Sequence, residues 1–233
     1  MRLVRTRRGA RLVHGSSVLS ELLREPGPTN SVFDVFAAMT AVHAERTPVR
    51  RLAMLGFAGG GTVAPLRAAG FDGLIEAVDM DVSGVKLFKE YCGDWVGSVR
   101  VDESEAAAWL GRKRGKFDVI LEDLSVNLED DVGKPEVSFT RLPALIASRL
   151  GRNGVAVLNA LPSMQMDRPE LIGKLAAPWR TGVQVVFHEW VNRFVIVGAR
   201  IGNAKTLEPK IRRVLRGIGS EMAEKFRLEP YER

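Results

Sequence analysis

The sequence predicts an α/β protein with a largely parallel central sheet, helices on both faces and an antiparallel hairpin near its end. Short apolar runs alternate with amphipathic segments through the middle of the chain, and a glycine-rich turn follows the first of those runs. Two later apolar runs are separated by only two residues. Strands that alternate with helices are joined by right-handed crossovers and lie parallel. A two-residue gap leaves room only for an antiparallel turn.

Length and composition indicate an ordinary globular protein. The 233 residues suffice for one large α/β domain with modest additions at each end. No apolar run is long enough to span a membrane, and the arginine-rich N-terminus lacks the apolar segment of a signal peptide. Cys92 is the single cysteine, which excludes an intrachain disulfide and a cysteine-based metal cluster. We therefore expect a cytoplasmic protein without a membrane partner.

The net charge of +6 would suit a nucleic-acid partner. The denser basic groups are the N-terminal arginines, the run Arg112–Lys116 and the stretch Lys205–Arg216. None of them has interleaved aromatic residues, and the other basic residues are scattered. A solvated basic surface explains this pattern better than a nucleic-acid groove, so nucleic acid is an alternative partner that the sequence does not favour.

Residues 1–48 are predicted to form an N-terminal extension. Alternating runs at Leu3-Val4 and Leu12-Val13 predict a weak hairpin followed by a short helix. The breaker Glu25–Pro28 ends this part. Between Ser31 and Ala44, apolar residues recur every three or four positions, which predicts an amphipathic helix.

Residues 49–200 are predicted to form a Rossmann-type domain. The predicted parallel strands are Arg51–Phe57, Leu74–Asp79, Ser98–Val101, Phe117–Glu122 and Gly154–Asn159. The predicted helices between them are Thr62–Ala69, Val82–Tyr91, Ser104–Gly111 and Phe139–Leu150. The terminal hairpin is predicted at Gly182–Trp190 and Arg193–Ala199. Residues 201–233 are charged, so we predict a C-terminal helical extension without a second core.

A glycine-rich turn, Gly56-Phe57-Ala58-Gly59-Gly60-Gly61, joins the first predicted strand to the following helix. Glycines let the backbone turn sharply and approach a ligand without an intervening Cβ. The helix N-terminus then offers free amides to an anionic group. Ala58 stands where the second glycine of G-x-G-x-x-G would be and crowds this approach slightly. The turn predicts a nucleotide site.

Acidic residues at the next two strand ends extend the predicted site. Asp79, in Asp79-Met80-Asp81, follows the loop by about twenty residues, where a carboxylate can accept ribose hydroxyls. Its alternative role is to cap the next helix, for which Asp81 is better placed. Glu105 can accept a hydrogen bond from an adenine amino group, or simply place a favourable charge in a first helical turn.

In their order, these motifs resemble the spermidine synthase-like branch of the class I S-adenosylmethionine-dependent methyltransferase superfamily. The family motifs G-G-G-D-G-G-T, V-E-I-D, G-D-A-x-x-F-L and D-V-I-x-x-D correspond to Gly56–Thr62, Val78–Asp81, Ser104–Leu110 and Asp118–Asp123. The resemblance covers roughly residues 32–199. It implies a Rossmann-type class I methyltransferase sheet that binds S-adenosylmethionine, its decarboxylated form or methylthioadenosine. The ligand would contact the glycine loop, Asp79, Met80 and Glu105.

Three departures from the family bear on the reaction. Gly59 replaces the loop aspartate that faces the ligand amine in aminopropyl-transferring members, and Val126 replaces the second acid of the polyamine-binding D-x-x-D. Phe33 replaces a tyrosine that assists the acceptor amine. A carboxylate beside the ligand tail favours an amine over a carboxylate by ~1–3 kcal/mol. Its loss at Gly59 is expected to favour intact S-adenosylmethionine, and methyl transfer over spermidine synthesis.

Asp123 is the candidate catalytic residue. Methyl transfer from a sulfonium requires alignment and removal of an acceptor proton, and Asp123 ends the fourth strand at the ligand-binding edge. Alternatively, it caps the next segment. The acidic loop Asn127–Asp131 follows. In the family that the chain resembles, this loop gates the acceptor pocket, so its negative charge would favour a small cationic acceptor. The alternative is that the loop is simply solvated. No metal-ligand spacing or nucleophile elbow is present.

The leading hypothesis is thus a methyltransferase acting on a small-molecule acceptor. Aminopropyl transfer remains an alternative. An RNA or protein methyltransferase would explain the basic termini, and an inactive nucleotide-binding homologue would explain the three departures. An NAD-dependent reductase is disfavoured, because the chain lacks a second domain and a Tyr-x-x-x-Lys pair. The sequence is compatible with a homodimer.

Overall fold

The computed structural model describes residues 2–128 and 131–232. It begins with an antiparallel sheet whose three strands are β1 (Arg2–Thr6), β2 (Gly9–His14) and β3 (Ser17–Leu23). The predicted hairpin is confirmed, but the short helix predicted after it was wrong. Leu22 of β3 pairs with Ala10 of β2 and both are fully buried, so strand pairing overrides the helical propensity of this leucine-containing segment.

The helix predicted after the proline-rich breaker is confirmed as α1 (Phe33–Ala44). It is buried on nearly all sides rather than on one face, because it lies between the central sheet and a C-terminal helix. The Asp34 carboxylate accepts hydrogen bonds from the Thr29 amide at 2.8 Å and the Ser220 hydroxyl at 2.5 Å. The start of α1 is thereby attached to the C-terminal segment.

The five predicted parallel strands lie side by side in an eight-stranded sheet and reach one of its edges. They are β4 (Arg51–Leu55), β5 (Leu74–Asp79), β6 (Val99–Glu103), β7 (Phe117–Glu122) and β10 (Leu150–Ala160), and a short ladder of β8 (Val126–Asn127) and β9 (Val132–Gly133) lies between the last two in sequence. This ladder was not predicted. Its two strands contain only two residues each, too few for a periodic pattern.

Helices cover both faces of the sheet, as predicted. They are α2 (Val63–Ala68), α3 (Ser83–Cys92), α4 (Ala106–Arg112), α5 (Val137–Thr140), α6 (Leu142–Arg149), α7 (Arg168–Leu175) and α8 (Ala204–Gly217). Side chains alternate across β4: Leu52 and Met54 pack with α1, α2 and α8, whereas Ala53 and Leu55 pack with α4, α6 and α7. Helix α7 was not predicted. None of the helices in the described residues is long and apolar enough to cross a membrane.

The C-terminal part completes the sheet. The predicted hairpin is confirmed as β11 (Thr181–Phe187) and β12 (Arg193–Gly198), with β12 antiparallel to β10. The helical extension predicted over residues 201–233 contains the helix α8, but the prediction was wrong beyond it, because α8 is followed by β13 (Phe226–Glu232), which pairs antiparallel with β11. The sheet order is β13-β11-β12-β10-β7-β4-β5-β6, so the expected boundary at residue 200 does not separate the C-terminal residues from the sheet.

Candidate functional site

The carboxyl ends of the parallel strands face a cavity of about 820 Å³. This volume lies in the upper part of the range for small-molecule sites. Its wall includes the glycine loop after β4, the ends of β5 and β7, the start of α4 and strand β3 of the N-terminal sheet. The cavity thus lies where open α/β sheets bind ligands.

The glycine loop is held in a strained turn by an acid on the neighbouring strand. Ala58 has a φ of +47°, in the left-handed region that residues with a side chain rarely adopt. Asp79 Oδ2 accepts hydrogen bonds from the amides of Phe57 and Ala58, both at 2.8 Å. A Cβ on Gly56 would lie 2.5 Å from the carbonyl oxygen of Asp123, so glycine lets the loop pack against the end of β7. The two loop amides therefore serve Asp79 and are not free for a ligand anion.

Two of the predicted loop residues, Gly59 and Gly60, do not line the cavity. A Cβ on Gly59 would lie 2.8 Å from Leu12 Cδ1 and 3.2 Å from Leu22 Cδ2, so it would point at the N-terminal sheet. A Cβ on Gly60 would meet the Phe88 ring at 2.8 Å. The sequence suggested that residue 59 distinguishes a carboxylate from an amine on the ligand tail. Because Gly59 faces the N-terminal sheet, the geometry does not support this role.

The other predicted nucleotide-binding residues lie together on the cavity wall. Asp79 Oδ2 accepts from the two loop amides, and its Oδ1 accepts from the Asp81 amide at 3.0 Å. Asp81 in turn accepts from the Ser83 amide at 2.9 Å and lies one position before Val82, which is the N-cap of α3 in place of the expected Asp81. Met80 is 66% exposed and presents an apolar thioether.

Glu105 adopts the alternative role that the sequence left open. It is the N-cap of α4, and its two oxygens accept from the amides of Ala107 and Ala108, both at 2.8 Å. The residue still lines the cavity, and each carboxylate oxygen keeps a lone pair that these amide hydrogen bonds do not use.

Asp123 lies where β7 ends, and its amide donates to the Leu55 carbonyl at 2.8 Å. Its Oδ1 accepts from the Asn159 amide at 2.7 Å, and Asn159 Oδ1 accepts from Asn192 Nδ2 at 3.2 Å. Burial raises the pKa of the Asp123 carboxyl to about 6, although the Asn159 hydrogen bond and the Lys134 charge act in the opposite direction. A carboxylate with this pKa can act as a base near neutral pH.

Sequence reasoning missed the two asparagines and a buried ion pair beside Asp123. Lys134 Nζ lies 2.8 and 2.6 Å from the two carboxylate oxygens of Glu122 and 3.2 Å from the Leu124 carbonyl. Ser138 donates to Glu122 at 2.8 Å, and the side chains of the ion pair are essentially unexposed. The sequence did contain a signal for this ion pair. Glu122 lies in a strand that was predicted to be buried, and a buried acid requires a partner.

The loop after β7 is attached to the N-terminal sheet. His14 Nε2 lies 2.8 Å from the Leu128 carbonyl oxygen, which can only accept, so Nε2 carries the proton. Ser17 donates to Asp131 at 2.5 Å. Of the predicted acidic loop, Asn127 and Asp131 line the cavity, whereas Glu129 and Asp130 lie outside the described residues.

Several carboxylates on the cavity wall have charged or hydroxyl partners. Glu21 pairs with Arg11 at 2.6 Å, and its burial raises the pKa of its carboxyl. Glu189 pairs with Lys225 at 3.2 Å, and Asp131 accepts from the serine described above. The wall thus carries many acids, but those near the N-terminal sheet and the β11–β12 turn are already neutralised or hydrogen-bonded.

Neither a protein-family model nor a characterised protein sequence matches the chain. Solved structures do. A probable spermidine synthase from Corynebacterium glutamicum has a TM-score of 0.69 at 15% identity, over 97% of this chain and 86% of its own. Human methyltransferase-like protein 13 in complex with SAH has a TM-score of 0.58 at 16% identity, over 80% of this chain and 89% of its own. A spermidine synthase in complex with the transition state analogue AdoDATO has a TM-score of 0.59 at 13% identity, over 83% of this chain and 66% of its own.

At these identities the similarity concerns the fold, and the predicted fold class is confirmed. The match to the Corynebacterium structure includes nearly the whole chain, so the N-terminal sheet and the C-terminal strand fall within the shared architecture. The chain therefore has the Rossmann-type α/β fold shared by class I S-adenosylmethionine-dependent methyltransferases and spermidine synthases.

Proposed function

We propose that the protein is a transferase that moves a methyl group from S-adenosylmethionine to a small-molecule acceptor, with Asp123 as the general base. One observation carries the proposal: a single cavity is lined both by Asp79, Met80 and Glu105 and by the partly buried Asp123 carboxylate, whose pKa is raised to about 6. The similar folds in complex with SAH and AdoDATO support an adenosyl ligand.

The residues on the wall fit such a ligand. Asp79 would accept a ribose hydroxyl on the Oδ1 lone pair that its three amide hydrogen bonds leave free, and Met80 would cover the adenine ring. Glu105 would accept from the adenine amino group. When bound, S-adenosylmethionine supplies a methyl group on a positively charged sulfur. Asp123 takes the acceptor proton as the new bond to carbon forms, while Asn159 holds its carboxylate in place.

A small acceptor is favoured over nucleic acid because several arginines of α8 already contact glutamates. On α8, Arg212 pairs with Glu208 and Arg216 pairs with Glu224, while Arg213 contacts Glu45. These pairs leave less free positive charge for a phosphate backbone. The loop after β7, which begins just after Asp123, also contacts the N-terminal sheet.

Calorimetry with the full chain tests the adenosyl site. We expect S-adenosylhomocysteine to bind, and Asp79→Ala to weaken it at least about tenfold, because the ribose acceptor and the loop clamp are lost together. Asp72→Ala, which removes an acid that does not line the cavity, is the control. No binding of S-adenosylmethionine, S-adenosylhomocysteine or methylthioadenosine to the wild type would refute the proposal.

Aminopropyl transfer is the alternative, since spermidine synthases share the fold. Phe33 and Val126 both line the cavity and supply neither a hydroxyl nor a carboxylate for an amine acceptor, which supports methyl transfer. Mass spectrometry of the nucleotide product separates the two reactions: S-adenosylhomocysteine is expected for methyl transfer, and methylthioadenosine would indicate aminopropyl transfer.

A further inference from the structure

Four of the six large apolar side chains that are exposed in the described residues line the cavity. Val18, Val126 and Val191 are 42%, 37% and 57% exposed, and all three line the cavity together with the exposed Met80. They come from separate parts of the chain: β3, β8 and the turn between β11 and β12. Exposed apolar residues that converge on one site from distant segments indicate a binding surface.

The three valines are connected to the Asp123 side of the cavity. Val126 follows Asp123 by three positions on the same loop. Val191 precedes Asn192, whose amide reaches Asp123 through Asn159. Val18 follows Ser17, which donates to Asp131 on the loop after β7. The apolar surface therefore lies on the segments that surround the proposed base.

The acids on these segments divide into two groups. Among the described residues there, Glu21 pairs with Arg11 and Glu189 pairs with Lys225, whereas Asp131 accepts from the neutral Ser17 hydroxyl and keeps its charge, as does the ionised Asp123. An ammonium group placed against the three valine side chains would lose its hydration there, and among the described acids of these segments its unpaired ionic partners would be Asp123 and Asp131. The valine surface itself therefore favours an apolar body, which gains from being covered, over a chain with several ammonium groups.

We propose that the acceptor is a hydroxylated apolar ring compound, of the phenol class, whose body contacts Val18, Val126 and Val191. This inference rests on the function proposed above. The phenolic O–H proton passes to the Asp123 carboxylate as the oxygen forms its bond to the methyl carbon. The methyl–sulfur bond breaks with its electron pair remaining on sulfur, so the products are an aryl methyl ether, S-adenosylhomocysteine and protonated Asp123.

The test uses the full chain saturated with S-adenosylhomocysteine and two probes, 4-ethylphenol and 1,4-diaminobutane. Binding is measured by calorimetry and by ligand-detected NMR. We expect saturable binding of 4-ethylphenol and none of the diamine at the same concentrations. Val126→Asp should weaken 4-ethylphenol about tenfold, because a charge replaces apolar surface, while Val126→Ile should retain the affinity.

Leu3→Asp is the matched control, because Leu3 on β1 is also 37% exposed but does not line the cavity. It should leave 4-ethylphenol binding unchanged, and the S-adenosylhomocysteine affinity of each variant verifies folding. Tighter binding of the diamine than of the phenol, or equal losses in Val126→Asp and Leu3→Asp, would overturn the inference. If S-adenosylhomocysteine binds but 4-ethylphenol does not, this inference alone fails; if S-adenosylhomocysteine does not bind, the proposed function itself fails.

Discussion

The side-chain amide of Asn159 donates a 2.7 Å hydrogen bond to the carboxylate of Asp123. The two residues end neighbouring parallel strands, β10 and β7, so the sheet itself brings them together. This bond orients the proposed base and favours its ionised form, in opposition to the burial that raises its pKa.

The first prediction concerns the titration of Asp123. Its pKa should lie near 6 and should rise further in Asn159→Leu, because a hydrogen bond to the charged form is lost while burial remains. Carbon-13 NMR of labelled aspartate carboxyls measures both values. Methyl transfer should correspondingly decline as the pH falls through about 6, since protonated Asp123 cannot accept a proton. A wild-type pKa at the ordinary aspartate value would contradict this account.

The second prediction concerns stability. Because the pKa of Asp123 is raised to about 6 in the folded state, the stability associated with its protonated form is lost as the pH rises through that value. Asp123→Asn, which cannot ionise, should therefore be more stable than the wild type at pH 8, by up to roughly 3 kcal/mol. The difference should disappear below about pH 4. Urea unfolding across this range tests it, and a difference independent of pH would count against the raised pKa.

The third prediction concerns the buried pair of Glu122 and Lys134. Lys134→Met leaves an uncompensated buried carboxylate and should lower the free energy of unfolding by about 3–5 kcal/mol. The double variant Glu122→Met/Lys134→Met should recover most of this loss, since neither charge is then buried alone. Lys174→Met, which breaks an exposed pair with Glu170, is the control and should change stability by less than about 1 kcal/mol. Additive losses in the double variant would show that the two charges are not coupled.

The fourth prediction concerns the two ends of the glycine loop. Gly59→Asp would restore the acid found in aminopropyl-transferring members, but its side chain would meet Leu12 and Leu22. We expect it to lower stability by about 1–3 kcal/mol without creating affinity for decarboxylated S-adenosylmethionine. A stable variant that gains such affinity would restore the argument for selection at this position.

At the other end of the loop, Gly56→Ala should impair both stability and nucleotide binding. Its Cβ would approach the backbone oxygen of Asp123 to 2.5 Å, and its φ of +90° is strained for alanine. Gly111→Ala is the control, since nothing lies within 4 Å of the added Cβ. Thermal unfolding with and without S-adenosylhomocysteine measures both effects, and equal midpoints for the two variants would contradict the close approach.

Much of the fold follows from local pattern. The five parallel strands and the helices between them are readable because apolar residues recur with the period of each element along many consecutive positions. Strand β13 was not readable in this way: Phe226 and Leu228 alternate over only two positions of a charged segment, Tyr231 is out of phase with them, and only pairing with β11 buries all three. The same holds for β3, because its leucine-containing segment forms a strand only by pairing with β2.

The sequence by itself determined the glycine loop, the acids Asp79 and Glu105 and the position of Asp123 at a strand end, because these depend on the order of residues within one strand–turn–helix unit. Only the tertiary structure decided that Gly59 faces the N-terminal sheet, that Asn159 sets the environment of Asp123, and that Lys134 neutralises Glu122. It also gathered three valines from distant segments around one cavity. The physical reason is that side-chain direction, burial and charge pairing depend on segments far apart in the chain, and packing alone brings those segments together.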